Sequence, residues 1–173
     1  EVSYGLAQGW NLISFPVTLD DPTIEAALGT IAGAYDVVWA YDGCASEWLK
    51  HDPDDPLDTL TTVDTMHGYW IDQMTAADLT VTGIHPVSTE ISLCTGWNLI
   101  GYPSVTERPI EEVLATIDGK YDFVYAYDAS DPDDPWKTYN PNFPYGNDLT
   151  TMRAGYGYWV EMNAADTLTI PGR

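Results

Sequence analysis

Two proline-braced acidic turns hold the densest sets of ligand-type side chains in the sequence. Asp52-Pro53-Asp54-Asp55-Pro56 and Asp131-Pro132-Asp133-Asp134-Pro135 each confine three carboxylates within a reach of at most about 13 Å. Ca²⁺ takes roughly six to eight oxygen ligands, and carboxylates together with turn carbonyls supply them. Asp52, Asp54, Asp55, Asp131, Asp133 and Asp134 are therefore the candidate calcium ligands, with solvated acidic turns as the other reading. Neither stretch has the central glycine or the closing glutamate of an EF-hand loop.

Aromatic chemistry is the second candidate. Trp48, Trp136 and Tyr139 lie beside polar turns, where exposed rings would stack on sugars and bind a glycan. Cys44 and Cys94 are the only cysteines. Their even number suits a bridge in a secreted chain, closing a loop of about 50 residues; two free buried thiols are the alternative. The histidines, His51, His67 and His85, are scattered. No nucleophile elbow, phosphate loop or zinc-protease spacing accompanies them, so no catalytic residue and no cofactor beyond calcium is expected.

The charge narrows the partners. Lys and Arg number 6 against 27 Asp and Glu, a formal net charge of −21, while 45% of residues are hydrophobic. Such a composition folds, yet it repels phosphate backbones and anionic bilayers, which argues against nucleic acid and against a membrane surface. No apolar run approaches the roughly 18 residues of a spanning helix, so membrane insertion of this segment is not expected.

The elements that must position these groups come twice. Gly9-Trp10-Asn11-Leu12-Ile13 recurs as Gly96-Trp97-Asn98-Leu99-Ile100, Val38-Trp39-Ala40-Tyr41-Asp42 as Val124-Tyr125-Ala126-Tyr127-Asp128, and Gly68-Tyr69-Trp70-Ile71-Asp72 as Gly157-Tyr158-Trp159-Val160-Glu161. The sequence divides into a first unit over 1–83, a linker and lead-in strand over 84–95, and a second unit over 96–173. Within each unit, an apolar run closed by proline predicts a strand at Trp10–Phe15. Pro22 and Gly33 bracket a helix with Ile24, Ala27, Leu28 and Ile31 on one face. Alternation predicts a strand over Tyr35–Asp42, with Val38 and Ala40 on one face and Tyr35, Val37, Trp39 and Tyr41 on the other. That aromatic face must pack on the Trp48 segment, on the sister unit or on a ligand. Tyr69–Gln73 and Asp78–Thr82 read as two further strands. The expected fold is α+β and β-rich: a tandem duplication, each unit a mostly antiparallel sheet with one helix. Trp10, Trp70, Trp97 and Trp159 are expected in the cores.

These motifs resemble a repeat of bacterial and archaeal secreted and cell-surface multidomain proteins. Its pattern is Gly-Trp-Asn-Leu-Ile-Ser-x-Pro, a short helix, a Tyr-Asp-x-Val-Trp-x-Tyr strand, a Trp-containing strand and a Gly-Tyr-Trp-Ile strand. The resemblance covers nearly the whole chain and departs at Gly101 and in the longer second acidic turn. It implies a non-catalytic extracellular module for structure, assembly or adhesion in a layer or filament. Its partners would be further copies or neighbouring surface proteins. A carbohydrate-binding module of a secreted enzyme is the alternative.

Overall fold

Each Gly-Trp-Asn motif starts a strand, and its side chains explain why. In the computed structural model, which describes residues 1–172, Gly9 and Gly96 have φ of 89° and 97°, a left-handed turn that glycine enters at no steric cost. The asparagine locks that turn. Asn11 Nδ2 donates to the carbonyls of Ala7 (2.8 Å) and Gly9 (3.0 Å), and its Oδ1 accepts the Ala7 N–H (3.0 Å). Asn98 repeats this with Cys94 and Gly96. Alternation then sends Ile13 and Ile100 into the cores and turns Trp10 and Trp97 outward.

The architecture is β-rich and built of small antiparallel sheets. A first four-stranded sheet runs Gly9–Ser14, Gly68–Gln73, Tyr35–Asp42, Glu47–His51 in spatial order. A second runs Gly96–Ile100, Tyr158–Met162, Tyr121–Tyr127, Trp136–Tyr139. Each has a two-stranded companion, Val2–Leu6 with Ala77–Val81 and Ser88–Leu93 with Asp166–Pro171. Much of the linker is thus a paired strand. Two minor pairs, Thr18–Leu19 with Gly83–Ile84 and Arg108–Pro109 with Thr151–Met152, complete the ladders.

The expected helix is shorter than its apolar spacing suggests. One α-turn, Ile24–Ala27, gives way to a 3₁₀ turn, Gly29–Ile31; the second unit has Ile110–Val113 and Ala115–Ile117. The break falls at Leu28 (φ −100°, ψ 10°) and Leu114 (φ −94°, ψ 10°). Glycine does not cause it, because Ala115 stands where Gly29 does. The tighter turn instead brings Ile24, Leu28 and Ile31 into one core with Ile13, Val38, Ile71 and Leu79. Ile110, Leu114 and Ile117 do the same over Ile100, Val124, Val160 and Leu168. Fully burying each such side chain contributes roughly 1.5–3 kcal/mol.

One strand face differs from simple alternation. The pairing of Tyr35–Asp42 with Gly68–Gln73 shifts register between Tyr35 and Val37. This bulge turns Tyr35 into the core, away from the face that carries Trp39 and Tyr41. The same irregularity lies between Tyr121 and Phe123.

Cys44 and Cys94 form a disulfide, with a Cα–Cα distance of 5.1 Å across a separation of 50 residues. It joins the turn after Tyr35–Asp42 to the residues just before Gly96–Ile100, so it ties the first sheet to the second. Among the described residues, no helix is long and apolar enough to cross a membrane.

Candidate functional site

With one face of each sheet committed to a core, the other must carry whatever lies on the alternate residues. In the first sheet these are Trp10, Trp70, Trp39, Tyr41 and Trp48. In the second they are Trp97, Trp159, Tyr125, Tyr127 and Trp136. The two rows meet. Trp70 lies 5.2 Å from Tyr127 and 5.8 Å from Trp136, centroid to centroid, and Trp159 lies 5.5 Å from Tyr41 and 5.9 Å from Trp48. All of these pairs are tilted or edge-on, the geometry aromatic quadrupoles favour.

Glycines let the sheets come this close. A Cβ on Gly68 would stand 2.8 Å from the Ile100 carbonyl oxygen, and one on Gly157 would stand 2.7 Å from that of Ile13. Gly101 lies at the same junction, where a Cβ would come 2.5 Å from the Thr65 carbonyl oxygen. Its counterpart Ser14 is fully buried there. The Ser14 hydroxyl donates to the Tyr156 carbonyl at 2.6 Å and accepts the Tyr102 N–H at 3.1 Å.

Between the aromatic rows lie two clefts, each of about 580 Å³. One is lined by Tyr41, Trp48, Trp97, Tyr125, Trp136 and Trp159. The other is lined by Trp10, Trp39, Trp48, Trp70, Tyr127 and Trp136. Together they use all seven tryptophans of the chain, and Trp48 and Trp136 serve as walls of both. The expectation that Trp10, Trp70, Trp97 and Trp159 fill the cores is therefore corrected. Trp10 and Trp97 are 41% and 38% exposed, Trp48 and Trp136 46% and 44%, and Trp70 and Trp159 are half-buried. A contiguous apolar surface of this kind marks an interaction site, and the cleft volumes fall within the ordinary range for ligand sites.

Of the three candidate sugar-stacking residues, Trp48 and Trp136 come together on this face. Tyr139 does not: it is buried in the second core, and its hydroxyl donates to Glu111 Oε1 at 3.3 Å.

The acidic turns line neither cleft, although the second runs directly into Trp136, and each encloses a lysine. Lys50 Nζ is 3.2 Å from Asp52 and 3.6 Å from Asp55. Lys137 Nζ is 2.9 Å from Asp131 and 3.7 Å from Asp134, and it also donates to the Asp134 carbonyl at 2.7 Å. The hydrogen bond from Lys137 holds the Asp131 carboxyl below the usual carboxylate range. Asp54 donates its N–H to Asp52 Oδ1 at 3.0 Å, while Asp133 stands exposed. Among the described residues, no group of three or more His, Cys, Asp or Glu side chains is arranged to hold a metal.

A buried polar chain escaped the sequence reading. His51 contacts Asp58 through Nδ1, and its Nε2 lies 3.0 Å from the Tyr35 hydroxyl. Asp58 Oδ1 also accepts the Asp52 N–H at 2.8 Å. Desolvation by burial pushes the Tyr35 phenol up, with Glu25 and Asp58 adding to the effect. This chain ends inside the first core and lines neither cleft. In the second sheet, Tyr139 ends the strand Trp136–Tyr139, and Asn147 Oδ1 accepts the Asn140 N–H at 2.9 Å in the turn beyond it. The arrangement closes the turn after Glu47–His51 and serves folding.

His67 sits at the junction of the sheets, bridging to Ile100, with Nδ1 2.9 Å from Asp64 Oδ1. The hydrogen bond to Asp64 raises the His67 pKa against its own burial, with Coulombic help from Asp64 and Asp42. Burial pushes the Asp64 carboxyl up, but hydrogen bonds and charge from His67 and the Met66 N–H outweigh it, so the net shift is downward.

No family model, curated protein or solved structure matches this chain. The functional reading therefore rests on the site itself.

Proposed function

We propose that this chain is a non-catalytic extracellular surface module that serves adhesion by binding glycan on its aromatic face. The observation that carries the reading is the gathering of all seven tryptophans around two adjoining clefts, where they add nothing to the two cores. A sugar ring presents a flat C–H face to an indole and its hydroxyls to the indole N–H and phenol groups at the cleft walls. The tandem-duplicated unit, with boundaries near 1–83 and 96–173, accounts for the paired clefts and fits the surface-repeat resemblance. The disulfide fits an oxidising compartment.

Tryptophan fluorescence tests this directly. Titration with a panel of oligosaccharides is expected to shift or quench the emission, and Trp48→Ala and Trp136→Ala are each expected to weaken binding by about tenfold, taking the roughly 1–3 kcal/mol that a planar base gains by stacking on one aromatic as the scale for a flat sugar face. Absence of any saccharide response, with concentration-dependent dimerisation in sedimentation that Trp48→Ala abolishes, would replace glycan by a second copy of the chain.

A further inference from the structure

The clefts carry an electrostatic feature that neutral sugar stacking does not require. Asp72 is the direct cross-strand partner of Trp10 and lies two residues from Trp70. Glu161 is the partner of Trp97 and lies two residues from Trp159. Cross-strand partners point to the same face, with Cβ atoms about 5 Å apart, so Asp72 shares the face of Trp10 and Trp70, and Glu161 that of Trp97 and Trp159, one carboxylate beside each aromatic row. Both carboxylates are half-buried. The chain's lysines are engaged elsewhere: Lys50 with Asp52 and Asp55, Lys120 with Asp166, Lys137 with Asp131 and Asp134. Arg153 lies over the Tyr156 ring, and Arg108 donates to the Pro171 carbonyl. Among the described residues, no cation lines either cleft.

Resting on the glycan-binding reading, we infer that the ligand is a cationic glycan, an oligomer of amino sugars with free ammonium groups. Three features of the site favour it. Indole faces attract ammonium groups as well as C–H faces, tryptophan most strongly of the aromatics. The carboxylates stand at matching places in the two sheets, one beside each aromatic row, which suits a ligand that repeats its charge. The surrounding net charge of −21 steers cations toward the face and repels uronic-acid polymers. A basic peptide shares the charge but fits less well. The cleft walls are aromatic side chains, whose ring faces stack on sugar C–H faces and give an extended backbone no ladder of hydrogen bonds within the clefts.

The test is calorimetric titration with glucosamine oligomers, N-acetylglucosamine oligomers of equal length, and oligolysine. The free-amine oligomer is expected to bind about tenfold tighter than the acetylated one at low salt, from two partly exposed ion pairs of about threefold each. High salt should erase most of that preference. Asp72→Asn with Glu161→Gln should erase it too, bringing the free-amine oligomer down to the affinity of the acetylated one. Asp20→Asn with Glu90→Gln removes the same charge from exposed sites elsewhere and should leave the preference intact. Equal binding of the two oligomers, or a preference that survives the Asp72/Glu161 change, overturns the inference and leaves glycan binding standing. Oligolysine binding that matches the free-amine oligomer and is lost with Asp72→Asn and Glu161→Gln makes the ligand a basic peptide and overturns it as well. If neither saccharide binds and the wider oligosaccharide panel also leaves the tryptophan emission unchanged, the glycan-binding reading itself falls.

Discussion

Replacing Gly157 by alanine tests whether the two sheets meet as described. The Gly157 N–H donates to the Leu12 carbonyl at 3.1 Å. A methyl group there would stand 2.7 Å from the Ile13 carbonyl oxygen and 3.2 Å from both Gly68 Cα and Leu12 Cγ. Ordinary contact needs about 3.4 Å or more, so two backbone segments must separate by several tenths of an ångström, which flexible side chains cannot absorb for them. Overpacking of this kind costs about 1–3 kcal/mol. At about 2–4 °C per kcal/mol for a chain of this size, a cost of about 2 kcal/mol lowers the midpoint by about 4–8 °C. The control is Gly29→Ala. Nothing lies within 4 Å of its added Cβ, and Ala115 already occupies the matching place in the second unit, so this change should stabilise by about 0.4–1 kcal/mol through the unfolded chain. Calorimetry reads both, and tryptophan emission of Gly157→Ala should move to the red as Trp159 and Trp48 separate. A midpoint for Gly157→Ala within about 1 °C of the parent, with Gly29→Ala behaving as expected, would refute close approach of the sheets at this point.

Three further outcomes follow from the same geometry. Cys44→Ser with Cys94→Ser should cost about 4 kcal/mol, the chain-entropy value for a loop near 50 residues, and a midpoint drop under about 3 °C would contradict that. The His67–Asp64 pair makes stability depend on pH with a definite sign. The raised His67 pKa contributes stability that is full below its ordinary value near 6.5 and is lost as pH rises through the folded value. The lowered Asp64 pKa contributes above its ordinary value near 3.8, and that share is lost as pH falls through the folded value. The stability advantage over His67→Asn should therefore be larger at pH 5 than at pH 8.5, and an advantage that grows with pH would be the wrong sign. With Lys50 and Lys137 inside the acidic turns, CaCl₂ and NaCl at equal ionic strength should raise the midpoint equally. A rise specific to calcium, lost on Asp52→Asn or Asp131→Asn, would make those turns metal sites.

Much of the sheet framework was legible because its signals are local. Alternation placed the strand Tyr35–Asp42, and the glycine and tryptophan punctuation placed Gly9–Ser14 and Gly68–Gln73 within a residue or two. Of the two readings the cysteine pair allowed, a bridge or two free thiols, Cys44 and Cys94 form the bridge. What escaped depends on contacts distant in sequence. The bulge at Tyr35 reversed that residue's face, which periodicity cannot register. Gly101 reads as a small change in a loop, yet its missing side chain admits the Thr65 carbonyl of the other unit. The tryptophans were the largest error. Sequence burial rules send large apolar rings inward, but each core here was already filled by the aliphatic and tyrosine residues on the opposite strand faces. The lysines that sit in the acidic turns are close in sequence, and Lys137 within three residues of Asp134 was a readable signal of internal neutralisation.

The measurement that bears most directly on the aromatic face is a titration followed by nuclear magnetic resonance of the seven indole N–H groups, with an amino-sugar oligomer as ligand. Binding at the paired clefts predicts that the Trp48 and Trp136 resonances, belonging to residues that wall both clefts, shift together and furthest. Indole resonances that all stay fixed while backbone amides around Asp52–Pro56 or Asp131–Pro135 move would place binding at the acidic turns and contradict the account.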